Sequence, residues 1–115
     1  LLVKRTEEFA LAKAGEPFPV GDLCRAMGVS ERTLEYAFKE LLGLTPMAFL
    51  LRLRLHRVRR ALLAARPGSS TVSSAALDGG FWHFGEFSRA YRECFGELPS
   101  ETLRRKAESP LGHGG

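Results

Sequence analysis

The sequence is poor in cysteine and has no long apolar segment. Two of its 115 residues are cysteines and the three histidines are scattered, so neither a metal site nor a cofactor is expected. The apolar run Met47–Leu51 ends at Arg52, whereas a helix that spans a bilayer needs about 20 apolar residues. These absences exclude a membrane-spanning segment.

The two cysteines, Cys24 and Cys94, fall on the apolar faces of predicted helices. We interpret both as buried, reduced thiols of a cytoplasmic protein. A disulfide or a catalytic thiol is the alternative, and a catalytic thiol needs a base beside it. Because neither cysteine has a histidine at helical spacing, the chain is not expected to be an enzyme.

Acidic residues are scarce in the middle of the chain. Lysine and arginine number 17 against 13 aspartates and glutamates, for a net charge of +4, which alone is weak support for a polyanionic partner. Between Glu40 and Asp78 there is no acidic residue, yet there are six arginines. Because arginine suits both guanine and phosphate, this arrangement favours nucleic acid more than the net charge does.

Strand-type alternation is also absent, and the signals that remain are helical. Serine and threonine N-caps and glycine C-caps delimit the segments, and a hydrophobic fraction of 44% is enough for a core. The predicted fold is all-α with seven helices: Leu2–Ala14, Val20–Met27, from the Ser30 cap to Leu42, Pro46–Arg66, Val72–Leu77, His83–Phe95, and from Pro99 or Ser100 to Lys106.

The chain repeats itself at a shift of 52 or 53 residues. The aligned pairs are Ala37–Glu40 with Ala90–Glu93, Gly43 with Gly96, Pro46 with Pro99, Val20 with Val72, and Gly28 with Gly80. The repeat predicts two copies of a short helix, a tight turn and a longer helix, joined by one long linker helix. This order is that of two helix-turn-helix units.

The longer helix of each copy has an apolar inner face and a polar outer face. The predicted inner residues are Leu34, Ala37, Phe38, Leu41 and Leu42, and in the second copy Phe87, Ala90, Tyr91, Cys94 and Phe95. The predicted outer residues are Arg32, Glu35, Tyr36 and Lys39, and in the second copy Gly85, Ser88, Arg89 and Arg92. Such a helix fits a major groove about 12 Å wide and offers its early residues to base edges; plain solvation of the outer face is the alternative.

The predicted linker helix, Pro46–Arg66, has 21 residues and a length of roughly 30 Å. Since one turn of B-DNA is about 34 Å, it could hold two recognition helices over successive major grooves. Arg52, His56, Arg59 and Arg60 are predicted on its polar side, where phosphate neutralisation and solvation explain the arginines equally well. Arg54 projects into the apolar stripe and is expected to be a paired, structural arginine.

The segment Gly80–Pro99 resembles the C-terminal signature of AraC/XylS-type transcription regulators. The shared elements are a Gly-Phe pair, a Phe-Ser-Arg core, an aromatic followed by a basic residue, then Phe-Gly and Pro. Val29–Lys39 with Gly43 and Pro46 matches the family's first motif, and Arg54–Arg57 resembles its linker helix. The resemblance covers about residues 20–106 and implies a seven-helix DNA-binding domain with two helix-turn-helix units.

The family's DNA-contacting positions imply a set of site residues. The implied base contacts are Arg32, Glu35, Tyr36, Phe84, Gly85 and Arg89, and the candidate phosphate contacts are Ser30, Lys39, Thr71, Ser88 and Arg92. Arg32 and Arg89 suit a bidentate contact to guanine. Glu35 could accept from a cytosine amino group, or, as we slightly favour, hold Arg32 or Lys39 in place.

The chain departs from the family pattern after the Gly-Phe pair, where small polar residues are usual. It has Trp82-His83-Phe84-Gly85 instead. Gly85 has no side chain to read a base and weakens the first helical turn, so the second unit is expected to position the domain more than to read sequence. Trp82 and Phe84 could touch thymine methyl groups, but core packing is the expected role.

The predicted organisation is a first unit with the linker helix over residues 1–66, a second unit over 67–108 and a flexible tail over 109–115. The first residue is Leu rather than Met, so we expect a piece of a longer protein. The resemblance implies a cytoplasmic bacterial activator whose partners are a double-stranded DNA operator, RNA polymerase and, through an N-terminal domain, a small effector. The residues themselves leave operator, effector and direction of regulation open.

Two other functions compete with sequence-specific DNA binding. One is a DNA-repair module, because domains of this type also occur fused to alkyl-transfer proteins with a nucleophilic thiol. The other is a protein-interaction module that uses the same helices without DNA.

Overall fold

Seven α-helices make up the fold in the computed structural model, which describes residues 2–13, 18–66, 68 and 71–108. They are α1 (Leu2–Ala12), α2 (Val20–Met27), α3 (Glu31–Leu42), α4 (Pro46–Ala64), α5 (Val72–Asp78), α6 (Phe84–Phe95) and α7 (Pro99–Glu108). The described residues include no strand. The all-α fold predicted from the sequence is therefore confirmed.

Helix ends agree with the caps in the sequence, with small differences. α2 and α3 have the predicted bounds, whereas α1 ends at Ala12 and α4 at Ala64, two residues earlier than predicted in each case. α7 continues to Glu108, two residues beyond its predicted end. Residues 67, 69 and 70, between α4 and α5, lie outside the described residues, as does the whole tail 109–115.

The chain divides into an amino-terminal unit, Leu1–Leu53, and a carboxy-terminal unit, Arg54–Gly115. Each unit has its own apolar core, as expected for a chain built from two copies of one pattern. The buried residues of the amino-terminal core are Leu23, Cys24, Met27, Leu34, Phe38 and Leu50. Those of the carboxy-terminal core are Leu55, Val58, Leu62, Ala75, Ala76, Phe87 and Tyr91.

The linker helix α4 contributes to both cores. Leu50 is buried in the amino-terminal core, while Leu55, Val58 and Leu62 are buried in the carboxy-terminal core. The whole of this helix was predicted to belong to the first unit. In the structure each half of α4 supplies the apolar residues that close the unit on its own side of residue 53.

The two copies end their longer helices in the same way. Gly43 after α3 has φ 68° and Gly96 after α6 has φ 76°, a left-handed conformation that glycine adopts without a Cβ penalty. The amide of Gly43 donates to the carbonyl of Lys39 at 3.0 Å, and the amide of Gly96 donates to that of Arg92 at 2.8 Å. The repeat read from the sequence is therefore present in the backbone.

Three residues predicted on the inner faces are exposed instead. Leu41 is 64% exposed, Leu42 is also exposed, and Cys94 is exposed rather than buried. Leu41 and Cys94 occupy equivalent places in the repeat, in the last turns of α3 and α6. Helical periodicity assigned them to the side of the core, but the last buried residues of α3 and α6 are Phe38 and Tyr91.

Candidate nucleic-acid interface

The first helix-turn-helix is built from α2, a three-residue turn and α3. Gly28 closes α2 with φ 68°, and Ser30 caps α3 by accepting a hydrogen bond from the Thr33 amide at 3.1 Å. Leu34 and Phe38 anchor α3 because both are fully buried. The opposite face of α3 is therefore held in a fixed orientation toward solvent.

The outer face of α3 carries the residues predicted to lie there. Arg32, Glu35, Tyr36 and Lys39 are all exposed. Among the described residues no ion pair joins Glu35 to Arg32 or Lys39. The holding role slightly favoured for Glu35 in the sequence therefore has no support in the unbound chain.

The second helix-turn-helix is built from α5 and α6. Thr71 and Ser74 form a capping box at the start of α5, in which the Ser74 amide donates to the Thr71 hydroxyl at 3.0 Å and the Thr71 amide donates to the Ser74 hydroxyl at 3.2 Å. His83 is the N-cap of α6 but makes no capping hydrogen bond through its side chain. The helix itself starts at Phe84, one residue after the predicted start.

The outer face of α6 is only partly polar. Gly85, Arg89 and Arg92 are exposed and Ser88 is half-buried. Trp82 is 70% exposed and Phe84 is 50% exposed, so the expectation that they pack in the core is wrong for Trp82 and only half right for Phe84. The physical reason is that Phe81 and Phe87 already fill this part of the core, with their ring centroids 4.8 Å apart.

A buried polar network, which was not predicted from the sequence, supports α6 from the inner side. The Tyr91 hydroxyl donates to Thr102 Oγ1 at 2.8 Å, and Thr102 donates in turn to Glu97. Glu97 also forms ion pairs with Arg59 and Arg105. These bonds, first of all the one from Thr102, hold the pKa of Glu97 below its ordinary value despite the opposing effect of burial.

The internal repeat of the sequence offers a way to predict the contact between Tyr91 and Thr102. A shift of 53 places Phe38 on Tyr91 and Phe49 on Thr102. In the amino-terminal unit the two phenylalanine rings contact each other with centroids 5.2 Å apart, whereas the carboxy-terminal unit has a hydrogen bond at the equivalent place. A tyrosine and a threonine at core positions of a repeat indicate a paired polar contact, because buried hydroxyls need partners.

Arg59 is part of this network rather than a free surface cation. Its Nη1 lies 3.3 Å from Glu97 Oε2, and its guanidinium lies 4.7 Å from the centre of the Phe95 ring. The sequence placed Arg59 on the polar side of α4 beside Arg52 and Arg60, both of which are exposed. Arg54 is half-buried, and burial lowers its pKa.

The two thiols differ in burial, since Cys24 is buried and Cys94 is exposed. Burial raises the pKa of Cys24, and Glu31 and Glu35 raise it further, which disfavours the nucleophilic thiolate there.

The described residues contain no cluster of His, Cys, Asp or Glu that could hold a metal ion. In the same part of the chain no helix is both long and apolar enough to cross a bilayer.

Comparison with known proteins identifies the family. Residues 23–105 match the family described as "Helix-turn-helix domain". A solved structure of a probable AraC family transcriptional regulator from Rhodopseudomonas palustris is 39% identical, with a TM-score of 0.80 over 92% of this chain and 97% of that one. The chain belongs to the AraC family. As an AraC-family helix-turn-helix domain, it is a DNA-binding domain of a transcription regulator.

Two further relatives are a DNA-binding domain solved with its target DNA and a regulatory protein longer than this chain. The DNA-binding domain of AdpA, solved in complex with a target DNA, is 25% identical with a TM-score of 0.81 over 96% of this chain and 97% of that one. The probable thc operon regulatory protein of Rhodococcus erythropolis is 39% identical over 90% of this chain. The chain covers only 31% of the length of that regulator.

Proposed function

We propose that this AraC-family domain binds double-stranded DNA sequence-specifically, with the outer faces of α3 and α6 in two successive major grooves. The observation that carries the proposal is the exposure of the same side of both helices, each opposite a buried pair: Leu34 with Phe38, and Phe87 with Tyr91. A helix anchored in this way presents its outer residues without further folding. Preorganised side chains lose less entropy on binding.

Base recognition is assigned to the early outer residues of the two helices. Arg32 and Arg89 donate to the O6 and N7 acceptors of guanine, since their forked guanidinium groups match that edge. Glu35 accepts from a cytosine amino group, a role supported by its exposure and by the lack of an ion pair to its neighbours within the described chain. Tyr36, Phe84 and Gly85 complete the surface that faces the bases.

Phosphate contacts are assigned to residues at the edges of this surface. They are Ser30, Lys39, Thr71, Ser88 and Arg92, of which all but the half-buried Ser88 are exposed. Ser30 stands at the N-cap of the twelve-residue α3, where helix amides and the helix dipole favour an anion, and Thr71 stands at the N-cap of α5. Such contacts fix the position of the protein on the duplex but carry no sequence information.

We extend the proposal to a longer protein that contains this domain, as the thc operon regulatory protein does. An effector is bound by a separate domain, RNA polymerase is a further partner, and the protein acts in the cytoplasm as an activator. The domain itself is not an enzyme. Incubation with a duplex that carries alkylated bases should leave Cys94 unmodified by mass spectrometry, whereas a general thiol reagent will label this exposed residue in any case.

Selection of bound sites from a pool of random duplexes tests the function. The 115-residue chain should enrich one asymmetric sequence, and the logarithm of its affinity should fall linearly with the logarithm of the salt concentration. Equal affinity for enriched and random duplexes would overturn sequence-specific binding. Absence of any salt-sensitive binding would favour the protein-interaction module.

A further inference from the structure

Two exposed aromatic side chains stand at the start of α6. Trp82 and Phe84 flank the N-cap residue of this helix, and the next residue is Gly85. Single exposed apolar residues are common on protein surfaces. Here, however, two aromatics and a glycine lie within four residues at the start of the helix that also carries Arg89. We call the surface of Trp82, Phe84 and Gly85 the aromatic edge.

The position of Phe84 on the aromatic edge is fixed by the core beneath it. Its ring centroid lies 5.9 Å from that of Phe87, which is fully buried and contacts Phe81 in turn. One side of the Phe84 ring is therefore held against the core while the other side faces solvent. A rigid aromatic with few free torsions loses little entropy when a partner covers it.

Neither the packing nor the backbone conformation of the chain requires a glycine at position 85. A Cβ added there would meet nothing within 4 Å, and the residue has no left-handed backbone conformation. Glycine weakens a helix relative to alanine, so packing and backbone geometry would both accept a larger residue. What glycine provides at an open position is room for the close approach of another molecule.

We propose that the aromatic edge recognises thymine through its methyl group in the major groove, with Gly85 allowing the bases to approach α6 closely. This inference rests on the proposed function, in which α6 enters the groove. Phe84 and Gly85 offer no side-chain donor or acceptor, so hydrogen-bonded readout is excluded for them. The C5 methyl of thymine is the apolar feature of the major groove, and aromatic and other apolar side chains contact it.

Intrinsic fluorescence tests the position of Trp82 directly, because it is the only tryptophan in the chain. Acrylamide should quench the emission of the free protein efficiently and that of the complex with the selected duplex much less. Anisotropy of labelled DNA measures binding in the same sample. If the duplex is bound while Trp82 stays as accessible as before, the inference is overturned and the proposed function stands. If no duplex is bound, the proposed function fails, and the inference fails with it.

Replacement of single thymines by deoxyuridine tests the chemistry. Deoxyuridine keeps the pairing edge of thymine and lacks only the methyl group. At one or more thymines of the selected duplex, the affinity of the wild-type chain should fall about four-fold for each methyl removed. The same replacement should leave the affinity of Trp82→Ala or Phe84→Ala unchanged at the corresponding thymine.

Matched variants keep this test free of folding effects. Trp82→Ala removes an exposed side chain and leaves no cavity, and the thermal unfolding of both variants shows whether the fold is kept. Leu11→Ala removes an exposed apolar side chain from α1 and should retain the full sensitivity to deoxyuridine. Equal binding of the wild-type chain to thymine and deoxyuridine duplexes at every position would overturn the inference.

Discussion

Arg59 and Glu97 form an ion pair within the carboxy-terminal unit, with Nη1 3.3 Å from Oε2. The Glu97 side chain is only 15% exposed and also accepts from Thr102, which Tyr91 contacts. Tyr91 belongs to α6 and Thr102 to α7, so one carboxylate ties the inner face of α6 to two neighbouring helices. The orientation of the outer face depends on this network.

The network predicts a pH-dependent effect of Glu97→Gln. Hydrogen bonds to a charged group contribute about 1.5–3 kcal/mol, so the variant should be less stable than wild type by about that amount at pH 7. Since the folded-state pKa of Glu97 is lowered, its contribution is complete above the ordinary glutamate pKa and is lost as the pH falls through the folded-state value. Thermal unfolding at several pH values should show the two proteins converging at low pH. A difference that does not change with pH would show that the charge of Glu97 is not the source of this stabilisation. Glu93→Gln, at an exposed position, is the control.

Substitution by alanine should have opposite effects on stability at Gly79 and at Gly85. A Cβ at Gly79 would lie 2.5 Å from Cγ2 of the buried Val58, so Gly79→Ala should destabilise by about 1–3 kcal/mol. Gly85→Ala meets nothing within 4 Å and should stabilise by up to about 1 kcal/mol. Denaturant unfolding measures both.

The DNA affinity of Gly85→Ala shows whether this glycine matters for binding as well as for stability. If Gly85 allows the bases to approach α6, the more stable variant should bind the selected duplex several-fold more weakly. Unchanged affinity together with raised stability would show that the groove does not approach this position closely.

Loss of a phosphate contact should change the salt dependence of binding and weaken binding to all sequences alike. Lys39→Ala and Arg92→Ala should weaken binding to all sequences alike, and each should reduce the slope of log affinity against log salt by about 1. Affinities for selected and scrambled duplexes at several salt concentrations measure this. A loss confined to the selected duplex would instead assign the residue to base recognition.

The two thiols should react at very different rates. Cys94 is exposed and Cys24 is buried with a raised pKa, so a thiol reagent should label one cysteine rapidly in the folded chain and the second only on unfolding. Mass spectrometry of the labelled protein identifies the site. Rapid labelling of Cys24 in the native state would contradict the packing of the amino-terminal core.

Local signals were enough to predict most of the fold. Ser30 and Thr71 cap the helices they were expected to cap, because capping depends on a few neighbouring residues. Leu41 and Cys94 were misplaced because periodicity gives the direction of a side chain but not how far the neighbouring core extends. Arg59 was misplaced for a related reason, since its partner Glu97 is 38 residues away.

The outer faces of α3 and α6 could be predicted because each needed only one helix and one buried pair. The aromatic edge could not, since the sequence does not show that Phe81 and Phe87 already fill the adjacent core. Which base each outer residue meets is a property of the complex, and the selected duplex will supply it.

In the proposed function, Arg32 and Arg89 give the domain its sequence preference. The direct measurement compares the wild-type chain with the Arg32→Ala/Arg89→Ala variant on the selected and a scrambled duplex at one salt concentration. Wild type should prefer the selected duplex by about 10³-fold or more. The variant should lose about 1–3 kcal/mol of that preference for each arginine, with a much smaller change on scrambled DNA. An unchanged ratio between the two duplexes in the variant would show that these arginines do not give the domain its sequence preference.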